Sequence, residues 1–341
     1  MQFNEEEIMN LDEILKQAPK DNLIGDSIII TYAKLQRYEK ILCSVSGGSD
    51  SDILVDLCQK YDNANKITYV FFDTGLEFRA TKEHLAYLEQ RYGIEIRRIR
   101  AIKPVPLCCK TYGQPFLSKQ VSEWIERLQR HNFQWEDEPF DILIQRYPQC
   151  RAALRWWCND FERKSEGRES SFNIGYNQYL KEFMVANPPQ FNISNKCCHY
   201  AKKLVAKRFK EQEKFDLNMY GVRKAEGGAR RSAYKTCFSS NDEGCDEYRP
   251  IFWYLADTKN VYETHYNIQN SKCYSEYGLK RTGCAGCPYS KKFEDELEAM
   301  RQHEPQLYMA VNNIFLDSYT YTRSYWDFVQ KMRNNKNKGD R

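Results

Sequence analysis

The 341-residue chain has no apolar run long enough to cross a bilayer and no h-region of a secretory signal. That absence predicts a soluble, cytoplasmic protein with no membrane partner. Charge is nearly balanced at +4, so nothing global marks a nucleic-acid binder. Internal repeats and low-complexity blocks are lacking, which sets aside repeat architectures. The five histidines are scattered without metal-ligand spacing, and none is expected to ligate a metal. No cysteine follows Cys287, so residues 288–341 offer no thiol.

What is present is ordinary in bulk and unusual in detail. Hydrophobic residues make up 41% and charged residues 29%, as in globular proteins. Aromatics reach 14% with 24 tyrosines, and core packing is favoured over base stacking as their role. Thirteen cysteines are many. In an intracellular chain they argue against structural disulfides and for metal or redox chemistry where they cluster.

The most informative stretch is Ser46-Gly47-Gly48-Ser49-Asp50-Ser51. It follows the apolar run Ile41-Leu42-Cys43-Ser44-Val45 and precedes the helical pattern Ile53–Cys58, giving a strand, a tight turn and a helix start. Glycines let backbone amides approach an anion, and the positive end of the helix faces it. The loop has no lysine after its second glycine, so it is not a Walker loop. A second strand pattern, Ile67–Phe72, ends in Asp73-Thr74-Gly75-Leu76-Glu77-Phe78. Both loops follow strands and are expected to share one crevice beyond the strands' carboxyl ends. Asp73 is expected to bond a ribose hydroxyl, a metal or a backbone amide. A third segment, Tyr220 to Arg231, follows a strand pattern at 217–222. Arg223 and Arg230 are its candidate anion contacts, with Glu226 orienting one of them.

These segments resemble the SGGxDS loop, the DTGxEF signature and the GxRxxE…R segment of the phosphoadenylyl-sulfate (PAPS) reductase family, in the PP-loop ATP pyrophosphatase superfamily. The resemblance is strongest at 39–78, 196–231 and 248–290. It implies an α/β fold of the adenine nucleotide alpha-hydrolase type, a doubly wound parallel sheet. It also implies ATP (or APS/PAPS) as ligand, with Mg2+. The implied nucleotide contacts are Ser46, Gly47, Gly48, Ser49, Asp50, Ser51, Asp73, Thr74, Gly75, Arg223, Glu226 and Arg230, of which Asp50, Arg223 and Arg230 are the implied catalytic residues. Many relatives carry lysine where this chain has Ser49, so one cationic contact is either missing or supplied from elsewhere.

Among the cysteines, the adjacent pair Cys197-Cys198 and the pair Cys284-x-x-Cys287, flanked by Gly283 and Gly286, stand out. Four thiolates suit zinc or an iron–sulfur cluster. Adjacent cysteines splay apart, which favours separate corners of a cubane over one tetrahedral ion, and free buried thiols remain the plain alternative. The arrangement is similar to that of adenylyl-sulfate (APS) reductases, which implies a [4Fe-4S] cluster on Cys197, Cys198, Cys284 and Cys287. Cys108-Cys109 is a competing pair. Cys43 and Cys58 read as small buried apolar residues.

Along the chain, N-terminal helices occupy 1–38, at 5–18 and 25–38. The nucleotide-binding α/β core spans 39–112, with strands at 39–45, 66–72 and 94–100 and helices at 52–61 and 79–92, the latter capped at Gly93. A helical insertion fills 113–195, with stretches near 116–131, 138–159 and 175–187. The cysteine and anion-binding half runs over 196–290, with a helix at 199–212. Helices at 291–302, 304–315 and 320–334 end the chain within 291–341.

Three functions follow. The first is ATP-dependent, pyrophosphate-releasing sulfur transfer to a tRNA or DNA acceptor, with an iron–sulfur cluster that holds or delivers sulfur and a sulfur donor protein. The second is reduction of APS or PAPS, against which stands the lack of a cysteine beyond Cys287. The third is a nucleic-acid-binding protein whose cluster is structural.

Overall fold

The computed structural model describes residues 5–62, 64–162, 169–227, 233–241 and 244–339. Helices α1 (Glu5–Gln17) and α2 (Asn22–Arg37) come first. The Asp21 carboxylate caps α2 by accepting from the amides of Leu23 at 2.8 Å and Ile24 at 3.2 Å. Strand β1 (Ile41–Ser44), helix α3 (Ser49–Tyr61), strand β2 (Ile67–Asp73), helix α4 (Arg79–Tyr92) and strand β3 (Ile96–Arg100) then alternate. Helix α4 ends on Gly93, whose φ of +63° is the left-handed cap that glycine adopts freely.

Three further strands complete one sheet: β4 (Leu217–Tyr220), β5 (Phe238–Ser239) and β6 (Asp246–Tyr248). The order is β3-β2-β1-β4-β6-β5, parallel except for the β5–β6 pair. The fold is thus α/β with a largely parallel sheet. Strand β1 lies between β2 and β4, and its Ile41, Leu42 and Cys43 are fully buried, as a strand covered on both faces requires. Cys58 on α3 is fully buried beside Cys43, and burial raises its thiol pKa. Strand β3 forms an edge and carries Arg97, Arg98 and Arg100, charges that discourage edge pairing.

The chain divides into two compact units. The first comprises residues 1–102, 201–285 and 302–304 and holds the whole sheet. Within it the guanidinium of Arg249, fully buried, reaches the Tyr220 hydroxyl at 2.6 Å, Ser239 Oγ at 2.6 Å and the Glu247 carboxylate at 3.2 Å. It thereby pins together the three strands at that end of the sheet.

The second unit comprises 103–200, 286–301 and 305–341 and has a helical, aromatic core. Trp156 and Trp157 are fully buried. Trp124 stacks on Trp156 at 5.3 Å between ring centres, and Phe133 meets Trp157 edge-on at 5.4 Å. These rings form a core, as the composition favoured.

Several boundaries differ from the sequence pattern. The stretch 138–159 is two helices, Phe140–Arg146 and Arg151–Trp157, joined by a 3-10 turn at Pro148–Cys150. Pro148 has no amide hydrogen to donate and pushes Tyr147 out of the helical region, where φ and ψ are −128° and 61°. The helix expected at 175–187 is Leu180–Ala186, preceded by Tyr179 at φ +58°. The helix expected at 199–212 begins earlier, at Lys196, and passes through a π-helical stretch, His199–Lys203, before the regular turns of Leu204–Glu213. The last two expected helices are one helical stretch, Pro305–Gly339, with a backbone break at Phe315. Strand β5 has only two residues, too few for alternation to mark it.

Candidate functional site

Chain direction reverses across β1: β2 and β3 extend the sheet one way, and β4 is then laid on β1's other side. That is a topological switch point, where parallel sheets open a ligand crevice. The loop after β1 is Ser46–Ser51, and the segment after β4 carries Arg223.

Glycine sterics shape the loop. Gly47 has φ +66°, and a Cβ there would lie 2.8 Å from Thr81 Cγ2. The Gly48 carbonyl accepts from Ser51 Oγ at 2.8 Å, while the Gly48 amide donates back to that oxygen at 3.2 Å. Ser46 Oγ donates to Ser51 Oγ at 3.2 Å. Gly221, at the end of β4, faces the start of α3 so closely that a Cβ would lie 2.7 Å from the carbonyl oxygen of Asp50. Only glycine lets the two backbones meet there.

Charge converges on Asp50. Arg223 Nε donates to its two carboxylate oxygens at 2.9 and 3.0 Å. Lys259 Nζ, from the helix Ala256–His265, lies 3.1 Å from Asp50 Oδ1 and also donates to Ser49 Oγ. Asp52, one turn into α3, is fully buried with His84 Nε2 of α4 at 3.0 Å, and burial pushes its carboxyl above the usual range despite the histidine.

The turn after β2 is held by its own carboxylates. Glu77 accepts from the Thr74 amide at 2.9 Å, the Thr74 hydroxyl at 2.5 Å and the Leu76 amide at 2.9 Å. Asp73 Oδ1 accepts from the Gly75 amide at 2.8 Å. Burial and a hydrogen bond shared with Asp73 push Glu77 up. Burial acts on Asp73 in the same sense, but the bonds to Glu77 and the Gly75 amide outweigh it and hold Asp73 below its usual value. Asp73, Thr74 and Gly75 thus spend polar groups on the turn itself. Of the three uses foreseen for Asp73, the structure shows the backbone amide.

The segment leading to Cys284 runs along both loops. A Cβ on Gly48 would lie 2.8 Å from Thr282 Oγ1, and the Ser49 amide donates to the Tyr274 hydroxyl at 3.2 Å. Cys284 Sγ is 3.4 Å from Thr74 Oγ1, and the Ala285 amide donates to the Leu76 carbonyl at 2.8 Å. Glu226 lies on an exposed 3-10 turn, Lys224–Glu226, directly after Arg223. Arg230 lies outside the described residues. Lys259, Tyr274 and Thr282 were missed by sequence reasoning. No motif marks them, although all three fall in the 248–290 stretch that resembles the family.

In the helical unit, the Cys197 thiol hydrogen-bonds Cys109 and Cys198, with Cys287 near enough to be felt. The bond to Cys109 is the chief cause of a raised Cys197 pKa, with burial adding to it and the bond to Cys198 opposing it. Cys109 therefore joins three of the four expected ligands. All thirteen cysteines are free thiols. The donor chemistry suits a soft metal, yet among the described residues no three Cys, His, Asp or Glu side chains are placed to hold a metal ion.

Residues 40–115 match the model of the phosphoadenosine phosphosulfate reductase domain. A stretch of 70 residues is 39% identical to an uncharacterized protein of Methanocaldococcus jannaschii, covering 20% of this chain and only 14% of that protein. Solved structures similar to the chain include a phosphoadenylyl-sulfate reductase from Candida auris in complex with phosphate, at 11% identity and TM-score 0.43, covering 83% of this chain and 97% of that one. The U34-tRNA thiolase NcsA of Methanococcus maripaludis, with its [4Fe-4S] cluster, is 12% identical at TM-score 0.35 over 87% of this chain and 78% of that one. An NH3-dependent NAD synthetase of Campylobacter jejuni is also 12% identical at TM-score 0.35, over 88% and 95%. At these scores the structural likenesses carry no weight for function. Among the described residues no helix is long and apolar enough to cross a membrane.

Proposed function

We propose that the PAPS reductase domain of this chain binds ATP at the Ser46–Ser51 loop and catalyses a pyrophosphate-releasing adenylation that prepares an acceptor for sulfur transfer. The observation that carries the reading is the convergence of Arg223 and Lys259 on Asp50, at the first turn of α3 and at the sheet's switch point. Loop amides, two cations and a helix N-terminus suit a polyanion. An acceptor oxygen attacks the α-phosphorus, the bond to the β-phosphate's bridging oxygen breaks, and pyrophosphate leaves against the loop. Loop amides and Arg223, with Arg230 and Glu226 as expected from the motif, stabilise the charge that grows on the leaving group. Magnesium, which takes oxygen ligands and retains waters, would supply Lewis-acid charge when bound, and the Asp50 carboxylate with the Ser46 and Ser51 hydroxyls would be the residues to hold it. A sulfur nucleophile from a donor protein then displaces AMP, with tRNA or DNA as the acceptor.

The second reading, reduction of APS or PAPS, is favoured by the matched domain at 40–115. Calorimetry with ATP, APS and PAPS in the presence of magnesium separates the two. Preferred ATP binding, with pyrophosphate release that falls about 100-fold in Asp50→Ala, supports adenylation. Preferred PAPS or APS binding, with thioredoxin-dependent sulfite formation, replaces it with the reductase. Iron and sulfide analysis of anaerobically purified protein decides whether Cys197, Cys198, Cys284 and Cys287 hold a cluster.

A further inference from the structure

We propose that Lys259 is an anion-binding residue of the Ser46–Ser51 loop, held ready by Asp50 and handed to the ligand's phosphate or sulfate group on binding. The inference rests on the reading of this loop as an anion site and deepens it by one residue.

Lys259 is remote from the loop in sequence, and the helix Ala256–His265 brings it to the first turn of α3. Its side chain is 13% exposed, beside Asp50 at 14% and Arg223 at 16%. Burying a flexible ammonium costs solvation and side-chain entropy, so it persists where charge is needed. An ammonium has three donors. One faces Asp50 Oδ1 at 3.1 Å and one the Ser49 hydroxyl. The remaining neighbour, Glu263 Oε1 at 3.6 Å, lies beyond hydrogen-bond range. Among the described contacts one donor is thus left for a ligand.

Asp50 is shared. Arg223 already gives it two contacts through one nitrogen, so the carboxylate does not need Lys259 for neutrality. The two cations meet at the positive end of α3, where Asp50 and Glu263 balance them and an arriving anion finds two positive side chains beside the helix start. Asp52 and Glu263 are the other carboxyls facing the ammonium. Asp52 is fully buried and shielded by His84, and Glu263 sits one turn further along Lys259's own helix. Lysine serves phosphate as a point charge on a movable stem, and a shift of its tip transfers it from carboxylate to ligand while Arg223 keeps Asp50 in place.

The test uses inorganic pyrophosphate with the full chain, by calorimetry in the presence of magnesium. Lys259→Met is expected to weaken pyrophosphate at least about 10-fold, the equivalent of one charged hydrogen bond. Lys259→Arg is expected to retain most of the affinity, and adenosine binding is expected to stay at the wild-type level in both. Equal pyrophosphate affinity in wild type and Lys259→Met overturns the assignment while leaving the anion loop intact. Failure of the wild type itself to bind pyrophosphate overturns the loop reading and the assignment with it. Should Lys259→Met fail to fold, wild-type protein is acylated with acetic anhydride and read by peptide mass spectrometry. Pyrophosphate should slow modification of Lys259 selectively, and an unchanged rate overturns the proposal.

Discussion

The unit that carries the sheet and the unit that carries the tryptophans are built on different economies. In the first, glycines sit under close contacts: Gly221 against the backbone carbonyl of Asp50, Gly47 against the Thr81 methyl and Gly48 against the Thr282 hydroxyl. A methyl group at Gly221 must displace backbone, whereas at Gly47 and Gly48 it first meets a threonine side chain. In the second, stability sits in large side chains such as Trp156 and Trp157, buried among other rings. A residue's size thus means opposite things in the two units. Small residues permit close contacts in one, and large residues fill the core of the other.

Substitution in each unit sharpens the contrast. The largest expected effect is on stability in the helical unit, where Trp156→Ala should cost about 3–5 kcal/mol in thermal or urea unfolding. ATP affinity of the remaining folded protein should be unchanged, and a parallel loss of affinity would break the comparison. Next comes Gly221→Ala, whose new Cβ must push back the carbonyl of Asp50. It should cost about 1–3 kcal/mol of stability yet remove most measurable nucleotide binding in calorimetry, and near-wild-type affinity would show that the loop tolerates displacement. Smaller again is Glu77→Gln, which keeps one acceptor for the turn after β2 and puts an amide where a second stood. A loss of about 1–2 kcal/mol is expected, read from the unfolding midpoint.

The smallest effect is a pH dependence at the sheet edge. Arg98 reaches Glu89 at 2.7 Å, and this hydrogen bond is the main cause of a Glu89 carboxyl held below its usual value. A depressed carboxyl contributes stability that is present above its unfolded value and is lost as pH falls through its folded value. The pair is partly exposed, so about 0.5 kcal/mol is expected. Glu89→Gln should flatten that part of the acid limb, and identical acid curves would remove the pair from the account.

The sheet's strands were legible where they are long and apolar. Strands β1 and β2 and helix α4 with its Gly93 cap announced themselves through apolar runs and a glycine stop. The two-residue β5 and the break at Pro148 did not, because neither leaves a periodic trace. At the site, the glycine loop and Arg223 were visible as motifs whose residues lie close together in sequence. Lys259 was not, because its partner Asp50 is brought to it only by tertiary packing. Cys109 was noticed as part of a pair but not as a neighbour of Cys197, and adjacency in sequence could not say which cysteine pairs would meet. The DTGxEF turn taught the reverse lesson. The bonds from Thr74 to Glu77 and from Gly75 to Asp73 within it leave no trace in the sequence pattern.

The position of β1 in the sheet sets a schedule for synthesis. Its partner β2 emerges from the ribosome almost at once, whereas β4, which pairs register-for-register with Ile41 to Ser44 on the other side, comes far later. At typical translation speeds the intervening stretch of roughly 170 residues takes about 10–35 s to make. Throughout that interval the most apolar strand of the protein has one edge open, and an open edge can pair with another nascent chain. The glycine loop after β1 is therefore among the first parts to be synthesised and among the last to be completed.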